Sequence, residues 1–258
     1  MSQIDRTNDD LRQRYERVFA QGKEGFFTFP TTDCTHEVCN ATTWSGKTVL
    51  EVGCGTGETA AALASAGATV VATDYAESAI VQARAKHRHP RLDFRVGRLE
   101  DFDGPFDTIV LQEVLEHVDD PIVTLTHVQE RLTAAGEVIL TCPAFLNMRG
   151  YVWMTLQILL GVPMSLTDLH AISPFDVEEW AGRARLRLEH WHSFRHGQAF
   201  GAGMVCDMER RLKHALRDAG LDNSRVDELL KWLARVSSYE QELHHNGAKI
   251  LYRLLNTV

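Results

Sequence analysis

"VLEVGCGTGETA", Val49 to Ala60, sets Gly53, Gly55 and Gly57 within five residues, directly behind an apolar run. Glycines at this spacing keep the main chain bare, so that a ligand can press against backbone N–H groups at the start of the next helix. Two registers fit. Counted from Gly55 the stretch is G-x-G-x-x-A, and counted from Glu51 it is E-x-G-x-G-x-G. The glycines alone do not choose between the ligands that these registers serve, and the flanking sequence has to decide.

From Lys47 onward, short β-branched runs alternate with helical patterns, which predicts parallel strands joined by crossover helices. "TVLEV", "TVVATD", "LDFRV", "FDTIVLQ" and "GEVILTC" read as strands one to five, "LRLEHWHSF" as the sixth and "AKILYRLL" as the seventh. Punctuation for the helices lies between them. Gly67 closes the helix behind the glycine turn, Asp74 and Glu77 are spaced as a capping pair, and Asp120 and Ser173 stand before Pro121 and Pro174. The resulting fold class is α/β, a doubly wound, seven-stranded, mostly parallel sheet in a single domain. Residues 1–46 form an N-terminal helical cap, 47–143 the ligand-binding core, 144–172 a lid or insert after strand five, and 173–258 the remainder of the sheet. Two amphipathic helices, near 204–219 and 224–243, fall between strands six and seven and make 201–246 an acceptor-site embellishment.

With 258 residues the chain is long enough to bury a full core. Its 27 basic residues are outnumbered by 35 acidic ones, a net charge of −8, which argues against a nucleic-acid partner unless a local basic patch supplies the contact. Five cysteines without a C-x-x-C pair read as reduced thiols. The charged N-terminus "MSQIDRTNDDLRQRYERVFAQG" has no apolar core of a signal peptide, and a cytoplasmic location is expected. "YVWMTLQILLGVPM", residues 151–164, is too short to cross a bilayer but long enough to lie on one, and peripheral membrane contact is expected there.

In a doubly wound sheet the ligand sits beyond the carboxyl ends of the strands, so the loops after Val52, Thr73, Val96, Leu111 and Cys142 should form the site. Asp74, ending strand two, is placed to accept hydrogen bonds from ribose hydroxyls. NAD and S-adenosylmethionine both fit that far. "VLEVGCGTG", "ATDYAESAI", "FDTIVLQEVLEHVDDP" and "GEVILTCP" together resemble the class I S-adenosylmethionine-dependent methyltransferases, over about residues 47–188 and the last strand. The resemblance implies that Glu51 meets the methionine end of the cofactor and that Gly53, Gly55 and Gly57 carry it. It also implies that Asp74 holds the ribose and Tyr75 lies against adenine, while Gln112 adds a contact from the end of strand four. One departure stands out. Many relatives read Gly-Asp-Ala after strand three, where this chain has "VGRLEDF" with Arg98; Leu99 then supplies a backbone N–H to adenine and Glu100 or Asp101 the acceptor.

"EVLEH" sets Glu113, Glu116 and His117 at i, i+3 and i+4, so one helical turn would gather two carboxylates and an imidazole at the mouth of the sheet. An E-x-x-E-H motif is shared, within the resembled family, by ubiquinone-pathway O-methyltransferases and by metal-dependent small-RNA 2′-O-methyltransferases. That likeness implies a divalent ion, zinc, manganese, iron or magnesium, held by Glu113, Glu116, His117 and His170. His117 and Glu116 are the expected catalytic pair, and without a metal His117 serves as the general base. The expected activity is O-methylation of a small or lipophilic metabolite. Nitrogen or carbon acceptors and RNA 2′-hydroxyls are the alternatives within the class, and an NAD-dependent dehydrogenase is the alternative outside it. Glu51 on the strand and the "LQEVLEHV" loop argue against the dehydrogenase.

Overall fold

The computed structural model describes residues 32–162 and 168–258, together with residues 13, 16 and 20. Among these the chain runs α1 (Thr32–Asn40), β1 (Thr48–Val52), α2 (Glu58–Ser65), β2 (Thr69–Asp74), α3 (Glu77–Lys86), β3 (Leu92–Val96), β4 (Phe106–Gln112), α4 (Pro121–Gln129) and β5 (Leu132–Pro143). It continues through α5 (Met148–Leu160), α6 (Pro174–Arg183), β6 (Leu186–Phe194), α7 (Gly201–Asp218), α8 (Val226–Val236) and β7 (Lys249–Asn256). Short 3-10 turns at Leu99–Asp101 and Leu115–His117 follow β3 and β4.

The seven strands form one sheet in the order β3-β2-β1-β4-β5-β7-β6. β1 pairs in parallel with both β2 and β4, which places Glu51 between Ala72 and Val110. Strand order reverses between β1 and β4, and loops leaving the sheet in opposite directions open a crevice at such a switch point. The expected fold class is therefore the observed one. Its core follows from the runs that predicted it, with Leu50, Leu63, Ile80, Ile109, Leu111 and Ile139 fully buried. Burial of side chains this size supplies roughly 1.5–3 kcal/mol each.

Local signals fared unevenly. Gly67 takes φ +104 behind α2, as a residue past a helix end does. Asp120 caps α4 by accepting from the Ile122 and Val123 N–H groups at 2.8 and 3.1 Å. The Asp74 and Glu77 pair does not cap α3, whose N-cap is Ala76; Asp74 belongs instead to the glycine turn. α8 stops at Val236, short of the predicted 243, because the chain tightens into a 3-10 turn at Ser237–Tyr239.

Two compact units divide the chain. The first joins Met1–Cys142, Pro174–Trp191 and Leu251–Val258; the second joins Pro143–Ser173 to His192–Ile250. In the first unit the Glu137 carboxylate, buried in the middle of β5, is satisfied by Lys47 and by Arg253 at 2.6 Å. In the second unit Trp153 of α5 is fully buried and packs with Met204, Met208 and Leu212 of α7 and Leu230 of α8. The same helix exposes Tyr151, Ile158, Leu159 and Leu160. The helix is thus part core and part surface, where a lid rather than a core element was expected. Asn147 caps it by accepting from the Gly150 N–H, and its amide donates to the carbonyls of Ala144 and Gly247. Arg149 donates to Asp207 at 2.8 Å with both side chains buried. Expected features at residues 163 and 164, and in the N-terminal cap before residue 32 other than 13, 16 and 20, lie outside the described residues.

Candidate active site

β1 ends in the turn that opened the sequence reading, and all three glycines are left-handed, Gly53 at φ +70, Gly55 at +53 and Gly57 at +85. An L side chain rarely adopts these angles. Space is also short. A Cβ on Gly57 would stand 2.5 Å from the Phe94 ring, and one on Gly53 would stand 2.6 Å from Val114. Two of the glycines are therefore required for packing within the protein as well as for a ligand.

Asp74 joins this turn to β2. Its carboxylate accepts from the Gly55 N–H at 3.0 Å and from the Ala76 N–H at 2.9 Å. Burial pushes the carboxyl up to about 6, against the lowering effect of those N–H groups. With the Tyr75 N–H also directed at it, the carboxylate keeps one acceptor position for a further donor such as a ribose hydroxyl. Tyr75, the next residue, is half-buried.

Glu51 is 2% exposed, and its Oε2 has no hydrogen-bond partner. Burial, then the charges of Glu58 and Asp74, push this carboxyl up to about 8, although the Ala60 N–H lowers it. Glu58 itself is half-exposed; partial burial raises its carboxyl, but the Thr56 hydroxyl at 2.6 and 2.8 Å brings it below the usual range. Glu51, Glu58 and Asp74 thus surround the turn with carboxylates. A buried carboxyl with an unused oxygen in this setting fits a cationic group such as the ammonium of S-adenosylmethionine, and the bare turn and Asp74 fit its nucleoside.

The adenine side is arranged differently from expectation. Leu99 is buried, but Glu100 is exposed and its Oε1 is 3.0 Å from His127 Nδ1. Asp101 accepts from the Arg98 N–H at 2.8 Å. Both acids thus have protein partners.

The loop after β4 is not the helical turn that the E-x-x-E-H spacing suggested. Glu113 is left-handed at φ +57, and helical geometry begins only at Leu115–His117, as a 3-10 turn. The Glu113 N–H donates to the Thr141 carbonyl at 2.9 Å, and the Thr141 hydroxyl donates to Glu113 Oε1 at 3.1 Å. Glu116 is 1% exposed, while His117 is half-buried. His170 belongs to the second unit. Among the described residues no group of three or more His, Cys, Asp or Glu side chains is gathered to hold a metal ion. The left-handed residue interrupts the i, i+3, i+4 face, so Glu113 does not share one helical turn with Glu116 and His117.

Sequence reading missed the residues behind Gln112. The Thr59 hydroxyl donates to Gln112 Oε1 at 2.9 Å, and Thr35 of α1 is 2.6 Å from Thr59. The signal was a threonine near the start of the largely apolar helix "ETAAALAS", since a buried hydroxyl needs a partner.

Known proteins agree with this geometry. A family model described as a methyltransferase domain matches residues 10–226. The ubiquinone biosynthesis O-methyltransferase of Pseudomonas paraeruginosa is 30% identical over 56% of this chain, and that of Xylella fastidiosa 32% over 56%. The match spans 66% and 63% of those two relatives, just under two thirds of each. Among solved structures, the 1,6-didemethyltoxoflavin-N1-methyltransferase of Burkholderia thailandensis, with bound S-adenosylhomocysteine, superposes with a TM-score of 0.64 at 12% identity, covering 100% of this chain and 93% of that one. The chain belongs to the methyltransferase-domain family, as a class I S-adenosylmethionine-dependent methyltransferase.

Proposed function

We propose that this methyltransferase acts on a hydroxyl group of a small or lipophilic metabolite, with His117 removing the hydroxyl proton. The observation that carries the proposal is the loop after β4, where a half-buried imidazole follows a buried carboxyl at the switch point of the sheet. The O-methyltransferase names of the two relatives support the same choice of acceptor atom.

Bound S-adenosylmethionine supplies an activated methyl group on a sulfonium, so the protein mainly aligns the acceptor and excludes water. A hydroxyl acceptor must also lose its proton. As the acceptor oxygen bonds to the methyl carbon and the carbon–sulfur bond breaks, the proton passes to the imidazole of His117. Glu51, Asp74 and the glycine turn hold the cofactor.

The net charge of −8 favours a small acceptor over RNA. A lipophilic acceptor is supported by the second unit, where α5 turns Tyr151, Ile158, Leu159 and Leu160 outward, each more than half exposed. Among the described residues no helix is long and apolar enough to cross a membrane, so the proposed membrane contact is peripheral. The test follows labelled methyl transfer into hydroxylated and amine-bearing lipophilic acceptors, for wild type and His117→Ala. Transfer to oxygen that His117→Ala slows at least a hundredfold supports the proposal. Transfer to nitrogen alone, or full oxygen transfer in the variant, refutes it.

A further inference from the structure

Gln112 ends β4, on the other side of β1 from β2 and Asp74. A cofactor whose ribose is held at Asp74 therefore brings its amino-acid end over β1 and β4, toward Glu51 and Gln112. A proton count then fixes how the amide of Gln112 is held. Each threonine hydroxyl carries one proton. Thr59 donates its proton to Gln112 Oε1, so the 2.6 Å contact between Thr35 and Thr59 is a donation from Thr35. The relay runs in one direction, from α1 through α2 to the amide oxygen at the head of β4. An amide whose oxygen is held this way presents its NH2 group, two donors, on its other side.

We infer that Thr35 and Thr59 are positioning residues that hold the Gln112 amide with its NH2 toward the carboxylate of the cofactor's amino-acid end. The inference rests on the S-adenosylmethionine reading of the glycine turn. Thr59 is 3% exposed and sits in the first turn of α2, directly after that loop, where without the relay its hydroxyl would be a buried donor at a cost. Glu51 receives the ammonium and Gln112 the carboxylate, so the two charges of the amino-acid end meet partners on adjacent strands. α1 thereby acquires a role beyond covering the sheet.

The test is calorimetric titration with S-adenosylhomocysteine and with 5′-methylthioadenosine, which keeps the nucleoside but lacks the amino-acid end. Thr59→Val should weaken S-adenosylhomocysteine about fivefold, as loss of one hydrogen bond does, and leave 5′-methylthioadenosine unchanged. Thr59→Ser, which restores the hydroxyl, should restore the affinity. Thr35→Val, at a half-buried helix position, should weaken S-adenosylhomocysteine about twofold with the same selectivity, and it decides the matter should Thr59→Val not fold. Equal losses for the two ligands, or an unchanged affinity for S-adenosylhomocysteine, overturn the inference. Failure of both ligands to bind wild type overturns the cofactor reading instead.

Discussion

Replacing Glu51 by Gln should make the free protein more stable and its cofactor weaker bound. The Glu51 carboxyl rises from 4.5 to about 8 in the folded chain, chiefly by burial and next by Glu58 and Asp74. The Cys39 and Cys54 thiols near it are raised too, by burial first and then by Glu51 itself, so they stay neutral. The sign is the reverse of an ion-paired carboxylate. The native state keeps a proton that the unfolded chain loses near pH 4.5, so stability falls as pH rises from there toward about 8. Taken up to pH 7 this costs about 3 kcal/mol, which the neutral amide avoids. Thermal melts at pH 7 should therefore favour Glu51→Gln, and the advantage should vanish near pH 4.5.

The arriving ammonium reverses the preference. At pH 7 about nine tenths of free Glu51 is protonated, and about one tenth of Asp74. S-adenosylhomocysteine binding should then release about 0.9 proton, and its affinity should rise with pH until about 8. Titrations in buffers of different ionisation enthalpy measure that release directly. Heats that do not depend on the buffer, or a release that survives in Glu51→Gln, would refute the reasoning.

Asp74→Ala should weaken cofactor binding about ten- to a hundredfold, read by calorimetry, because it removes a charged acceptor and strands the Gly55 and Ala76 N–H groups. Gly57→Ala should lower stability by about 2–3 kcal/mol in denaturant melts, since it combines a left-handed φ with a Cβ driven into Phe94. Asn147→Ala should cost about 1–3 kcal/mol in the same assay, through loss of the α5 cap and two buried carbonyl partners. In vesicle co-sedimentation, Ile158→Glu with Leu159→Glu should abolish any binding shown by wild type while the fold survives. A charge at Trp153 would not serve, because that ring is buried in the core of the second unit.

Strands and the glycine turn were legible because their signals are local. Alternating β-branched runs, glycines at fixed spacing and Asp120 before Pro121 act within a few residues, and the structure puts each where its neighbours dictate. Glu113 shows where that reasoning stops. Its spacing to Glu116 and His117 is helical, yet the Thr141 carbonyl, 28 residues away, takes its N–H and holds the backbone left-handed. Glu100 and Thr59 make the same point, since their partners His127 and Gln112 come from other elements. α5 was ambiguous for another reason: its sequence is apolar on every side, and only packing reveals which side is core.

The buried pair Arg149 and Asp207 links the two chain segments of the second unit, one from α5 and one from α7. Breaking such a pair by losing one partner costs about 3–5 kcal/mol. Grafting later helices that lack the acid would leave the buried Arg149 without its partner, whereas an insert that lacks the arginine would leave Asp207 with Arg211 at 3.4 Å. An attempt to retarget this methyltransferase by exchanging parts therefore has to carry Arg149 and Asp207 together, and a library that varies α7 has to hold Asp207 fixed.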